Sequence, residues 1–424
     1  MDFAGEYGDG SDGIDACGEI ENMCIWIRAA ATLLLFVIPA FGASYRFGAV
    51  WDGDKVQKNV CVTTKGDKVD SVGACPEGAV DISRYTAIPG MIDVHTHLTY
   101  LQQNPVSQAG RGAAVVYLAA ANAKKTLEAG VTAVRDLGAQ NYSDIAMRDL
   151  INEGLMTGPR MFVAGYGLQV QRSGNVTPNN ATGSAEVMRV VRLQVFAGVD
   201  YIKMYGSTGS GQDVTQLETF TLEEMKAAVD AAHALGKRIA IHSYGPAGAR
   251  DAVRAGTDSL EHATDMDDDT IAEMVTRKTW YVPTIDHNRY YADNYKLLGY
   301  PAKSVEGLND YIARNLATAK KAWKAGVRFA MGSDVVYTMF GENTRELGWF
   351  VKAGMTPEQA LRAATVNGAE VLGQEKVLGA LRPGYFADVV AVEGDPLADI
   401  QVAIDKVRWV MKGGLVVVDK TKAP

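Results

Sequence analysis

The sequence predicts an α/β protein: a (β/α)8 barrel of the TIM type with a small β-sandwich domain built from both chain ends. Three observations carry this prediction. The middle of the chain alternates short apolar runs with helical stretches, giving eight β/α units. Both ends are rich in Val, Gly and turn dipeptides, without a convincing helix. Four of the six histidines stand at the ends of predicted strands. A chain of 424 residues, 47% hydrophobic, can hold a barrel of roughly 250 residues and an additional domain. The expected divisions are an extension over 1–45, sandwich pieces over 46–88 and 378–424, and the barrel over 89–377.

The extension is unlike the rest. Residues 1–24 hold seven acids (Asp2, Glu6, Asp9, Asp12, Asp15, Glu19, Glu21) and no base, nearly all of the net charge of −8. The remainder is close to neutral and has no basic run, so no nucleic-acid footprint is present. From Arg28 to Ala43, one positive charge precedes an apolar run and then small residues. This is the pattern of a secretory signal, and it is short for a membrane span of ~20 apolar residues. The acidic stretch does not suit a signal's N-terminal region. A start at Met23 with cleavage near Gly42 or Ala43 accommodates it; an N-terminal anchor helix is the alternative. The first reading makes the mature chain secreted or periplasmic, without a stable membrane span.

Tyr45 to Ile88 contains turn signals at Trp51-Asp-Gly-Asp54 and Lys65-Gly-Asp-Lys68. Cys61 and Cys75 flank a turn-rich piece, and such a pair in an exported chain suggests a disulfide. In a reducing compartment they would be free thiols. The C-terminal counterpart runs from Leu381 to Val392 and from Lys406 to Asp419, with Gly413-Gly414 as a hairpin turn.

Between the ends, the predicted strands are Met91–Tyr100, Val131–Asp136, Arg160–Ala164, Val199–Met204, Arg238–His242, Asp258–His262, Thr279–Pro283 and Val327–Asp334. A helix over Thr221–Leu235 opens with a capping box, Thr221 with Glu224, and stops at Gly236. Another over Val305–Ala325 stops at Gly326. Thr356-Pro-Glu-Gln359 caps the helix after the last strand, with Pro at its first position.

Parallel strands so connected place their C-terminal ends on one face, where barrel active sites lie. His95 and His97 are two apart in the first strand, so both imidazoles face one side. Lys203 lies in the fourth strand. His242, His262 and Asp334 end the fifth, sixth and eighth. Each has a plainer reading: Asp334 could cap a turn, Lys203 could extend out of the barrel, His262 could bond backbone. Their convergence on one face points instead to a metal site, because neutral imidazole and carboxylate are common ligands of zinc-like ions.

With these residues in place, the chain resembles the binuclear metal hydrolases of the amidohydrolase superfamily. The matching pieces are Pro89-Gly-Met-Ile-Asp-Val-His-Thr-His97, Lys203, His242, His262 and Gly332-Ser-Asp334. Leu381-Arg-Pro-Gly-Tyr-Phe-Ala-Asp388 and Gly394-Asp-Pro-Leu397 match its usual close. Thr86-Ala-Ile-Pro-Gly90, His242-Ser-Tyr-Gly245 and Asp258-Ser-Leu-Glu-His262 resemble the imidazolonepropionase-related branch, which includes secreted prolidase-like carboxypeptidases and ochratoxin-degrading amidohydrolases. The resemblance covers about residues 46–420. It implies two zinc ions, one held by His95, His97 and Asp334 and one by His242 and His262. Lys203 would bridge them as a carbamate formed with CO₂, since an ammonium cannot bind a cation. Asp334 would be the catalytic residue, taking the proton of the attacking water and passing it to the leaving amine. A homo-oligomer is also implied, with an octamer as one form the resemblance suggests.

The loops at 165–183, 206–220 and 285–304 are long enough to select substrate. Tyr205, Tyr244, His287 and Arg289 follow strand ends and are the candidates for holding a substrate carboxylate. Tyr281, Tyr290, Tyr291, Phe340 and Trp349 could cover an apolar side chain. Arg135 is either a site residue or a partner of Asp136, and His233 lies in a helix away from the site. The leading functional reading is cleavage of an amide between an acyl group and a C-terminal amino acid: an N-acyl amino acid, an Xaa-Pro dipeptide, or ochratoxin A giving ochratoxin alpha and phenylalanine. Opening of cyclic amides or imidazolone-type rings, or deamination, is the alternative. A non-catalytic assembly protein is a third, and the intact ligand set argues against it.

Overall fold

The computed structural model describes residues 42–100, 112–170, 177–211 and 213–421. The acidic segment and the signal-like run lie outside the described residues. Beyond the N-terminal 40 residues the chain forms a single compact unit.

The two ends meet in one hydrogen-bonded sheet. Its strands are β1 (Ser44–Trp51), β2 (Val56–Lys65), β3 (Lys68–Gly73), β4 (Val80–Asp81) and β5 (Thr86–Pro89) from the N-terminal side. From the C-terminal side come β16 (Val389–Val392), β17 (Val407–Lys412) and β18 (Leu415–Asp419). Their order is β18-β17-β16-β5-β1-β2-β3, with β4 beside β1. The seam is antiparallel, Val389 facing Pro89 and Val392 facing Thr86. Where a sandwich was expected, the described strands of the two ends form one continuous sheet. Phe47, Val50, Val62, Val69, Trp409 and Met411 bury one core within it. Cys61 and Cys75 are disulfide-bonded, with Cα atoms 4.9 Å apart, where β2 and β3 pair.

Pro89-Gly90 then turns the chain into the α/β region. A Cβ at Gly90 would overlap the Thr132 side chain, so only glycine fits this close approach. Strands and helices alternate from there. The order is β6 (Met91–Thr96), α1 (Gly112–Glu128), β7 (Val131–Asp136), α2 (Ser143–Asn152), β8 (Arg160–Val163), the short β9 (Gln169–Val170) and β10 (Asn180–Ala181), and α3 (Ser184–Phe196). There follow β11 (Tyr201–Tyr205), α4 (Leu222–Ala234), β12 (Arg238–Ser243), α5 (Pro246–Ala255), β13 (Ser259–His262), α6 (Asp268–Arg277), β14 (Trp280–Val282), α7 (Ile285–Asp293), α8 (Lys303–Ala325) and β15 (Arg328–Phe329). After β15 come α9 (Glu346–Lys352) and α10 (Pro357–Ala363).

The expected capping boxes form. Thr221 accepts from Glu224 N at 3.3 Å while Glu224 accepts from Thr221 N at 2.9 Å, and Thr356 and Gln359 do the same. The α8 helix ends at Gly326 in the left-handed region, which glycine enters without steric penalty.

β6-β7-β8 and β11-β12-β13-β14-β15 are all-parallel sheets. They are linked twice. Leu168 N donates to Lys203 O at 2.8 Å, and Tyr205 N to Leu168 O at 2.9 Å. On the other side Val94 N donates to Met331 O at 2.8 Å, and Asp334 N to His95 O at 2.7 Å. The eighth predicted strand, Val327–Asp334, is regular only at Arg328–Phe329; beyond it, Met331 and Asp334 bond to Val94 and His95 of β6.

One expectation is corrected. The stretch 285–304 is not a plain loop; it contains α7. The helix lacks a local cap. The carboxylate of Glu346, 60 residues on, accepts from Asp286 N at 2.9 Å and Ile285 N at 3.0 Å. No helix among the described residues is long and apolar enough to cross a membrane.

Candidate metal-dependent active site

The six ligand-type residues line one cavity of about 170 Å³ at the C-terminal ends of the parallel strands. β6 delivers His95, and His97 follows just beyond its end. Lys203 lies on β11, His242 on β12 and His262 on β13. Asp334 follows β15. All are buried, Lys203 to within 1% of complete and His97 to within 8%. Asp334 Oδ1 lies 3.1 Å from His97 Nε2 and 3.7 Å from His95 Nε2. The ligand atoms of His95, His262 and Asp334 fall within 4.8 Å of one another. The His242 and His262 rings are 4.5 Å apart between centroids.

His262 and Asp334 carry φ of 71° and 51°. Non-glycine residues held in the left-handed region store strain, and such residues cluster at functional sites. Two of the six groups are therefore aimed by unusual backbone.

Electrostatics favour neutral, metal-ready imidazoles at His95, His242 and His262, whereas at His97 the lowering effect of burial is outweighed by Asp334, which raises it. Burial first, and then Lys203, hold His95 down to about 4. Burial likewise drives His242 and His262 well below the usual histidine range, leaving neutral imidazoles. Burial raises the Asp334 carboxyl, but His287, His95 and His97 outweigh it and hold it well below its ordinary value. Burial lowers Lys203 to about 8. Its Nζ and His242 Nε2 have no hydrogen-bond partner. A buried polar atom without a partner is unfavourable, so these orphans fit a group that enters the cavity: metal at the imidazole, CO₂ at the amine.

Several supporting residues were missed in the sequence. Asp93 accepts from His95 N at 3.1 Å, Ser333 N at 3.0 Å and Asn343 Nδ2 at 3.0 Å, fastening the His95 and Asp334 segments together. Glu261 Oε2 accepts from His95 Nδ1 at 2.7 Å, and Thr284 Oγ1 lies 2.6 Å from His262 Nδ1. The available signal was an acid inside an apolar strand, at Ile92-Asp93-Val94 and at Leu260-Glu261. Arg135 pairs with Glu261 at 2.8 Å rather than with Asp136. Asp136 instead accepts from Leu98 N at 2.6 Å.

Of the four candidates for substrate binding, Tyr205, Tyr244 and His287 line the cavity. Tyr244 stacks on Tyr311 with centroids 4.9 Å apart, and its hydroxyl has no partner. Arg289 does not line it. Its guanidinium is held by Asp286 at 2.8 and 3.0 Å, Asp293 at 2.9 Å and Glu342 at 2.8 Å, so its charge is spent locally. Among the aromatic candidates only Tyr291 lines the cavity. Tyr281 bonds Ala263 O, Tyr290 bonds Thr338, Trp349 bonds Asp286, and Phe340 packs into the core. His233 lies elsewhere, 2.8 Å from Asp258. A larger cavity of about 640 Å³ adjoins, sharing Tyr100, Tyr205, Gly209 and Ser210.

Four histidines, an aspartate and a buried lysine at the C-terminal ends of parallel strands define a metal-dependent hydrolase. Residues 86–417 match the Amidohydrolase family, and the chain belongs to it. It is an enzyme acting on C–N bonds. The ochratoxinase of Aspergillus niger is 31% identical over 371 residues, covering 77% of this chain and 74% of that protein. Its crystal structure matches with a TM-score of 0.76 at 26% identity, over 90% of this chain and 97% of that one. The crystal structure of a Xaa-Pro dipeptidase with bound methionine in its active site matches with a TM-score of 0.80 at 29% identity, over 89% and 99% of the two chains. The imidazolonepropionase of Geobacillus kaustophilus is 24% identical, over 81% of this chain and 83% of that protein.

Proposed function

We propose that this enzyme is a binuclear zinc hydrolase that cleaves the amide between an acyl group and a C-terminal amino acid. The substrate class is N-acyl amino acids, Xaa-Pro-type dipeptides, or ochratoxin A giving ochratoxin alpha and phenylalanine. The observation that carries this reading is the unpartnered Nζ of Lys203, fully buried among four histidines and Asp334. The likenesses to an ochratoxinase and a Xaa-Pro dipeptidase support the substrate class. The two linked parallel sheets are read as one closed (β/α)8 barrel.

His95, His97 and Asp334 would hold one zinc ion, His242 and His262 the other, and the carbamate of Lys203 would bridge them. Such a pair would supply a water of lowered pKa and polarisation of the scissile carbonyl. Asp334, kept ionised by its histidine neighbours, takes the proton of the attacking water and returns it to the leaving amine. His287, 3.2 Å from Asp334, holds that carboxylate in place. Tyr205, Tyr244 and His287 are the donors within reach of a substrate carboxylate or the developing oxyanion. Tyr291 covers an apolar side chain. The chain is further read as exported, cleaved near Gly42 or Ala43, and homo-oligomeric.

The test compares substrates with a free and an amidated C-terminal carboxylate. Blocking should lower kcat/KM by roughly 10² or more, because a charged hydrogen-bonded contact is worth about 2–5 kcal/mol. Equal cleavage of both would reject the C-terminal reading and favour cyclic amides.

A further inference from the structure

We propose that Glu261, anchored by Arg135, is the positioning residue that fixes His95 in its metal-binding tautomer and joins the two halves of the centre. This rests on the binuclear reading above. His95 offers Nδ1 to Glu261 Oε2 at 2.7 Å. A carboxylate there takes the Nδ1–H, which leaves the lone pair on Nε2, the nitrogen on the Asp334 side. Glu261 is itself held. Its Oε1 accepts from Arg135 Nη2 at 2.8 Å and Ser259 Oγ at 2.5 Å. Arg135 also donates to Val94 O at 2.5 Å and Ser259 Oγ at 2.9 Å, and lies over the Tyr201 ring at 5.0 Å. This chain of contacts spans β6, β7, β11 and β13, and Arg135, Glu261 and Ser259 are all fully buried.

Two features separate this from ordinary core polarity. A buried ion pair adds little net stability compared with apolar residues of the same volume, so stability alone does not account for placing one directly behind a ligand. The neighbour of Glu261 in sequence is His262, whose ring lies 5.1 Å from that of His95. Successive strand residues normally face opposite sides. The φ of 71° at His262 breaks that alternation, so Glu261 and His262 both reach His95. One backbone bend therefore supplies a ligand to one metal and the support for a ligand of the other. Carboxylates behind ligating histidines fix ring orientation and raise ligand basicity, and losing one typically weakens metal affinity 10–100-fold.

The experiment uses full-length metal-free protein, wild type, Glu261→Gln, and the double variant Arg135→Met with Glu261→Gln, which leaves no unpaired buried charge. Zinc affinity is measured by chelator competition and zinc per chain by elemental analysis, with near-UV circular dichroism and melting of the metal-free protein reporting the fold. The account predicts a 10–100-fold loss of affinity at the weakened site in folded variants, with activity returning as zinc is raised. A folded double variant that binds zinc as the wild type does, changed only in melting temperature, overturns it. Wild-type protein that binds no zinc would instead reject the binuclear reading itself.

Discussion

His287 Nε2 lies 3.2 Å from Asp334 Oδ2, while the other oxygen of that carboxylate meets His97. The residue expected to grip a substrate carboxylate is thus joined to Asp334, the proposed proton carrier. His287→Ala should lower kcat by roughly 10²–10⁴, the usual worth of a positioned proton-transfer partner, and leave zinc content unchanged. Loss of zinc in parallel with activity would make His287 a ligand instead.

Lys203→Ala should lose both metal and activity, with partial rescue by short carboxylic acids. The lysine is buried, unpartnered and lowered to about 8 by that burial, which leaves roughly a tenth as free amine at pH ~7, far more than an ordinary lysine offers for reaction with CO₂. A crystal structure with both metals bound and an unmodified amine at position 203 would contradict this.

Much of the candidate site was legible because its residues lie in or just after predicted strands, and strand periodicity and end positions are local properties. Lys203, His242, His262 and Asp334 needed no long-range information to be placed on one face. What remained hidden depends on partners distant in sequence. Glu346 caps α7 from 60 residues away, so Ile285–Asp293 read as loop. Arg289 looked like a free cation because Asp286, Asp293 and Glu342 surround it only in three dimensions. Tyr281, Tyr290 and Trp349 looked like pocket aromatics for the same reason; the fold turns them to bonds with Ala263, Thr338 and Asp286.

Glu346 also gives a stability signature. Burial pushes its carboxyl up to about 8, against the N–H groups of Asp286 and Ile285 that pull it down. An unfolded glutamate titrates near ~4.3. Between those values the folded chain binds the proton more tightly, so stability falls as pH rises, by up to roughly 1.4 kcal/mol per unit. Asp136, raised to about 7 chiefly by burial, adds the same sign. Denaturant titration of metal-free protein from pH 5 to 8 should show this slope, and Glu346→Gln should flatten it. An unchanged slope would remove Glu346 as its source.

Protein exported to an oxidising compartment should carry the Cys61–Cys75 bond, which closes a span of 14 residues and contributes about 3 kcal/mol at most. Mass spectrometry finding two free thiols in exported material would refute it.

A metal pair held by His95, His97, Lys203, His242, His262 and Asp334 is proposed to perform the hydrolysis. Its most direct measurement is elemental analysis coupled to activity during chelation and stepwise return of zinc. Active protein should carry two ions per chain, lose turnover on their removal, and recover as zinc is reloaded. Full activity in rigorously metal-free protein would contradict it.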